Sequence, residues 1–166
     1  MVTNGSGVPI RIVGTGEYVP ARRVNSEEFD RRWGKPAGWT FDHTGVESRH
    51  FASDEETSSF MGAEAAKMAL TAAGMTAADL DCIVCTASVP EQAIPCTAVL
   101  IHRRLGLERS GIPAFEVNAT CLGFMVALDM LSATIAAGRY RRVLIVSSEI
   151  ASVGLDWEDT VTGPLF

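Results

Sequence analysis

Glu116-Val-Asn-Ala-Thr-Cys-Leu-Gly-Phe124 decides how this chain folds. Before it, Pro113-Ala-Phe-Glu-Val-Asn118 reads as a short strand. After it, Cys121 to Ala137 is apolar almost all round, with Leu122, Phe124, Met125, Val126, Leu128 and Ile135 among its residues. A helix of that kind belongs in the middle of a structure rather than on its surface. Only small residues stand between the two, which leaves room for a tight turn. A strand passing directly into a buried helix is the first half of a parallel βαβ unit.

The same alternation continues outward. Leu80–Thr86 and Arg142–Ser148 read as buried strands, and Ile10-Arg-Ile-Val-Gly-Thr-Gly16 as a strand ending in a Gly-rich turn. Thr57–Ala73 is an amphipathic helix with Phe60, Ala63, Met68 and Leu70 among its apolar positions, stopped by Gly74. Thr97–Leu105 is a helix closed by Gly106, and Gly138 ends the apolar helix. Asn25–Trp33 forms a short helix capped by Asn25 or Ser26. From Lys35 to Asp54 the chain is polar and aromatic, centred on a helical turn at Trp39-Thr-Phe-Asp-His-Thr-Gly45, with a short strand near Val46–Phe51. Strands alternating with helices predict an α/β fold, a parallel sheet with helices on both faces. No repeat, low-complexity tract or linker interrupts it. The chain stops at the apolar Gly163-Pro-Leu-Phe166, an end that reads as cut.

The 166 residues suit one domain with a real core. An apolar share of 47% excludes disorder, and the apolar runs are too short to span a bilayer. A net charge of −6 argues against a nucleic-acid binder. Met1-Val-Thr-Asn-Gly-Ser-Gly7 lacks the marks of a signal peptide, so a reducing cytoplasm is the expected setting. Cys82, Cys85, Cys96 and Cys121 therefore do not form a disulfide framework. Cys82 and Cys85 resemble a redox or zinc pair, but three residues apart on a strand they face opposite ways and read as small core residues. Cys96 reads as packing at a helix start. Gly14-Thr-Gly16 has Val19 where a dinucleotide loop needs its third glycine, which excludes that reading. The pairs Arg22-Arg23, Arg31-Arg32, Arg103-Arg104 and Arg141-Arg142 read as solvated charges ahead of contacts to an acidic carrier protein.

Cys121 is the strongest candidate for chemistry. At the first turn of a helix, unpaired N–H groups and the helix dipole favour a thiolate, the form that acts as nucleophile. The carboxyl end of a parallel strand is also where open α/β sheets bind ligands. A small core cysteine at a helix start fits the same residues. No spacing ties His43, His50 or His102 to Cys121 as its base, so the residues alone leave both readings standing.

The chain resembles the N-terminal half of a β-ketoacyl-acyl-carrier-protein synthase III, a condensing enzyme of the thiolase fold. The resemblance rests on Ile12-Val-Gly-Thr-Gly-Glu-Tyr-Val-Pro20, on Trp39 with Thr44-Gly45-Val46 and Arg49-His50, and on Glu56-Thr57 before the long helix. It continues through Pro95, Pro113-Ala-Phe-Glu-Val117, Cys121 with Gly123-Phe124, and Val143-Leu-Ile-Val-Ser-Ser-Glu149. It implies a thiolase-like N-terminal half over residues 1–166, with α/β/α layers and a mostly parallel mixed sheet. Four of its five strands would lie here; the last strand and the C-terminal half would belong to a separate polypeptide or a longer gene product.

By that resemblance Cys121 takes an acyl group from acyl-coenzyme A or acyl carrier protein. The acyl-enzyme then condenses with decarboxylating malonyl-acyl carrier protein, aided by a His and an Asn from the other half. No metal or cofactor is implied. Trp39 would stack on an adenine, with His43 standing where the family commonly has an arginine and Thr160 where a second is expected. Losing two guanidinium groups removes stacking and phosphate-facing charge, which leaves both donors open. Ile94, where larger aromatics are often found, would help shape the primer pocket of a neighbouring subunit, and Phe124 would line the substrate site. The family dimerises through its third strand, here near Phe115. Two other readings are a non-catalytic partner subunit and acyl transfer to oxygen or nitrogen in secondary metabolism.

Overall fold

The structure, a computed structural model, describes residues 10–165. The chain divides into two compact units, a smaller one of residues 19–57 and 150–166 and a larger one holding residues 58–149 with the N-terminal segment through Tyr18.

In the smaller unit, β1 (Arg22–Asn25) leads into α1 (Ser26–Arg32), followed by α2 (Trp39–Thr44) and β2 (Ser48–Phe51). β1 pairs antiparallel with β2, Arg22 opposite Phe51 and Asn25 opposite Ser48. β1 was not foreseen, because of its four residues only Val24 is buried and the two arginines hide the alternation. The core here is aromatic. Phe29 is buried and stacks on Trp157 with centroids 5.7 Å apart, while Trp33 Nε1 donates to the Trp157 carbonyl at 2.8 Å. Asp30 is buried as well. Its carboxylate accepts from the Gly38 N–H at 2.7 Å, the Thr40 N–H at 2.8 Å and the Thr40 hydroxyl at 2.6 Å. Burial alone would raise its pKa; the bonds from Thr40 and Gly38 outweigh burial and hold the carboxyl below its usual value.

The larger unit contains α3 (Ser58–Ala73), β3 (Cys82–Cys85), α4 (Thr97–Arg104), β4 (Ala114–Glu116), α5 (Gly123–Ala136) and β5 (Val143–Val146). β3 is central, paired in parallel with β4 on one side and β5 on the other. The parallel sheet and the covering of both faces follow the sequence expectation. Ile83 and Cys85 pack on one face with Leu70 of α3 and Ile101 of α4, and Cys82 and Val84 pack on the other with Ala127 and Leu131 of α5. The two cysteines thus lie on opposite faces. Burial pushes both thiols up in pKa.

Three expectations need correction. Ile10–Gly16 forms no strand among the described residues. A cavity of about 770 Å³, lined by Ile10–Gly14 and by Arg141–Leu144, separates it from β5, so three strands pair here instead of four. Gly14 and Gly16 press on α3 instead, where an added Cβ would fall 2.2 Å from the carbonyl oxygens of Ala69 and Ala65. Met68 of α3 is exposed rather than packed. Finally, α5 is not surrounded. Of its residues only Gly123, Ala127 and Leu131 are buried, because one sheet face is all that the described residues put against it.

Candidate active site

Cys121 sits between β4 and α5, in a short 3-10 turn of Thr120–Leu122, two residues before the α-helix that the sequence reading starts at Cys121 itself. Two features set this pivot. Gly123 lies against the end of β3, where a Cβ would meet the Thr86 carbonyl oxygen at 2.8 Å, so only glycine lets the helix start this close. Thr120 has φ +49°, the left-handed region that a β-branched residue rarely enters. Its N–H donates to Asn118 Oδ1 at 3.1 Å and its hydroxyl to the Ala119 carbonyl at 2.8 Å, bonds that help offset the strain. Cys121 is exposed, as are Leu122 and Phe124 beside it. Among the described residues nothing buries this thiol.

Around the carboxyl ends of the strands, acids accept backbone N–H groups. Glu116 Oε1 accepts from Thr97 at 2.7 Å, Glu91 Oε2 from Ser59 at 2.6 Å, and Glu149 Oε2 from Ser88 and Val89 at 2.7 and 2.8 Å. These bonds tie the starts of α3 and α4 and the loop after β3 to the rim that carries Cys121. Sequence reasoning passed over them; the available signal was an acid just past or at the end of each apolar run.

Each histidine has a partner of its own. His102 Nε2 lies 3.2 Å from Ser110 Oγ, His43 Nδ1 lies 2.8 Å from the Trp39 carbonyl, and His50 pairs with the Pro20 carbonyl. Among the described residues no group of three metal-ligating side chains occurs. Ile94 is 87% exposed on the loop before α4, where Gln92 Nε2 donates to its carbonyl at 2.8 Å. Trp39 and His43 fall in the smaller unit, apart from the unit that carries Cys121, Phe124 and Ile94. Those two rings are in contact, with centroids 4.2 Å apart.

A reachable cysteine thus stands on a strand-to-helix pivot above a parallel sheet with helices on both faces, the arrangement the resemblance to half of a thiolase-like fold implies. The family model for 3-oxoacyl-[acyl-carrier-protein] synthase III matches residues 115–166. A β-ketoacyl-[acyl-carrier-protein] synthase III of Neisseria meningitidis serogroup C is 37% identical over 156 residues, covering 94% of this chain and 48% of the relative. The crystal structure of 3-oxoacyl-[acyl-carrier-protein] synthase III from Aquifex aeolicus superposes with TM-score 0.88 at 33% identity, over 94% of this chain and 50% of that one. The priming β-ketosynthase of the R1128 polyketide pathway follows with TM-score 0.86 at 30% identity, over 94% and 46%. The chain spans about half the length of the relatives it matches. In sequence and fold it is similar to the N-terminal half of the β-ketoacyl-acyl-carrier-protein synthase III enzymes. Among the described residues no helix is long and apolar enough to cross a membrane.

Proposed function

We propose that this chain is the nucleophile-bearing half of a condensing enzyme that acts in the cytoplasm. The observation that carries the reading is the exposed Cys121 on its glycine-backed pivot, in a chain that matches half of such enzymes along nearly its whole length. The Cys121 thiolate attacks the carbonyl of an acyl thioester; a new C–S bond forms and the carrier thiol leaves with a proton. The backbone N–H of Cys121 provides one donor to the oxyanion. Malonyl on acyl carrier protein then loses carbon dioxide, and its carbanion attacks the acyl-enzyme, releasing Cys121 and a 3-oxoacyl product. A His and an Asn from a second half would stabilise the enolate.

That second half would cover the exposed residues of α5, and the missing last strand of this half would fill the cleft between Ile10–Gly14 and β5. β4 ends the sheet and Phe115 is partly exposed, which suits pairing with a second copy in the complete enzyme. Ile94 and Phe124 are the proposed substrate-shaping residues. Priming of a secondary pathway is a second reading, favoured by the likeness to the polyketide priming synthase.

Mass spectrometry of the complete protein after incubation with acyl thioesters tests the proposal. The expected result is an acyl adduct on Cys121, absent from Cys121→Ala. No adduct from the complete assembly overturns it in favour of a non-catalytic partner subunit. Replacing Ile94 by Phe should shift preference between acetyl and longer primers; an unchanged preference removes Ile94 from the pocket.

A further inference from the structure

We propose that Thr86 is a positioning residue for Cys121: paired through its hydroxyl with Ser147, it fixes the wall on which the first turn of α5 rests, and with it the place of the thiol. The inference deepens the acyl-transfer reading and rests on it. β3 and β5 are in register with Cys85 opposite Val146, so Thr86 and Ser147 face one another just past the strand ends. Alternation from Val84 and Ile145 puts both side chains on the sheet face that α5 covers. The strands below them are apolar throughout, and these two hydroxyls are the first polar groups above. Their oxygens lie 2.6 Å apart, and Thr86 Oγ1 also lies 3.5 Å from the Val146 carbonyl oxygen. A carbonyl only accepts, so the Thr86 proton turns to Val146 and Ser147 donates to Thr86.

The link to the nucleophile runs through Gly123, two residues after Cys121. The atoms nearest a Cβ built at Gly123 all belong to Thr86: its carbonyl oxygen at 2.8 Å, its Cβ at 3.2 Å and its carbonyl carbon at 3.6 Å. Thr86 is thus the stop against which the helix begins. It is buried, and its N–H donates to the Val146 carbonyl at 2.8 Å, so the stop is held from both main chain and side chain. Further along, Glu149 Oε2 accepts from the Ser88 and Val89 N–H groups, which keeps this loop on β5 whatever side chain stands at position 86. Removing the Thr86 hydroxyl therefore loosens the stop and leaves its surroundings in place. Attack by sulfur needs the thiol and the oxyanion donor on its own residue held at a fixed distance from the acyl carbonyl. A small slide of the pivot lowers the rate for a substrate that still binds.

The test times Cys121 acylation on the complete protein over a range of acyl-thioester concentrations. Thr86→Val keeps the shape and removes the hydroxyl; it should lower the maximal rate about tenfold and move the half-saturating concentration by less than about twofold. Thr86→Ser keeps the hydroxyl and gives up a methyl group, and should recover most of the rate. Ser147→Ala, at an exposed position, should slow acylation in the same direction and add nothing to Thr86→Val when the two are combined. Wild-type rates in Thr86→Val or in Ser147→Ala overturn the inference. So does a serine variant slower than the valine one, the result of a packing role, or a loss confined to the half-saturating concentration. If Thr86→Val does not fold, Ser147→Ala decides. Alkylation of Cys121 by iodoacetamide, located by mass spectrometry, reads the thiol without an acyl donor, and Thr86→Val should slow it about threefold. If no thioester acylates wild type, the acyl-transfer reading fails by itself, and equal alkylation rates in wild type and Thr86→Val then overturn the positioning role as well.

Discussion

On the face of the larger unit's sheet that Ile83 and Cys85 share, α3 and α4 close a cluster of eleven buried residues; on the face of Cys82 and Val84, α5 closes a cluster of four. The helix over the smaller cluster is the more apolar of the two kinds, yet Leu122, Met125 and Met130 at and along it are 64%, 60% and 50% exposed. Apolar burial drives folding, so the first face fixes this unit while the second leaves most of its potential unused. Contiguous exposed apolar surface of this sort marks an interaction site. Cys121 stands at the start of that unfinished helix. The chemistry and the missing cover are thus located on the same side of the sheet.

The largest expected effect breaks or upholds this contrast directly. Ile101 is fully buried against the sheet, and Ile101→Ala should cost about 3 kcal/mol by urea unfolding. Met130→Ala on the open face should change the stability of this chain by less than about 0.5 kcal/mol. Equal losses would mean that α5 is as well packed as α4 and that no cover is needed. Gly123→Ala comes next, because its Cβ would meet backbone, the Thr86 carbonyl, and not a flexible side chain. A loss of about 2 kcal/mol is expected, together with slower acylation of Cys121 as the pivot moves. Unchanged stability and acylation would show that the helix start can slide at no cost.

Much of the closed face was legible in the sequence. β3 is buried at all four residues, and its period-two alternation sends Cys82 and Cys85 to opposite clusters as the pattern requires. Gly74, Gly106 and Gly138 end their helices with positive φ, the stop signal read from composition. What escaped was set by partners rather than by local pattern. Ile10–Gly16 alternates like a strand, but nothing among the described residues lies close enough to pair with it. The apolar circumference of α5 announced a buried helix whose surroundings this chain does not supply. At the candidate site, the cysteine was legible from its place between strand and helix. The left-handed Thr120 and the rim of Glu91, Glu116 and Glu149 were not, since neither backbone strain nor a carboxylate-to-backbone bond leaves a periodic trace.

The two strand cysteines offer the finest comparison of the faces, with the smallest expected effect. Burial raises both thiols in pKa, so each is neutral in the fold while the unfolded chain ionises near pH 8.5. A raised pKa means that the stability is fully present below the unfolded value and falls as pH climbs through it toward the folded one. Replacing either cysteine by Ala should therefore flatten the alkaline loss of stability between about pH 8.5 and 10. Alkylation should separate the pair. Cys121, exposed, reacts first; Cys82, a member of the smaller cluster under α5, should react through local opening of that helix; Cys85 should wait for global unfolding. With the cover of the complete protein in place, Cys82 should slow toward the rate of Cys85. Identical rates for Cys82 and Cys85 in this chain alone would mean that both faces open together, and the division between a finished and an unfinished face would not hold.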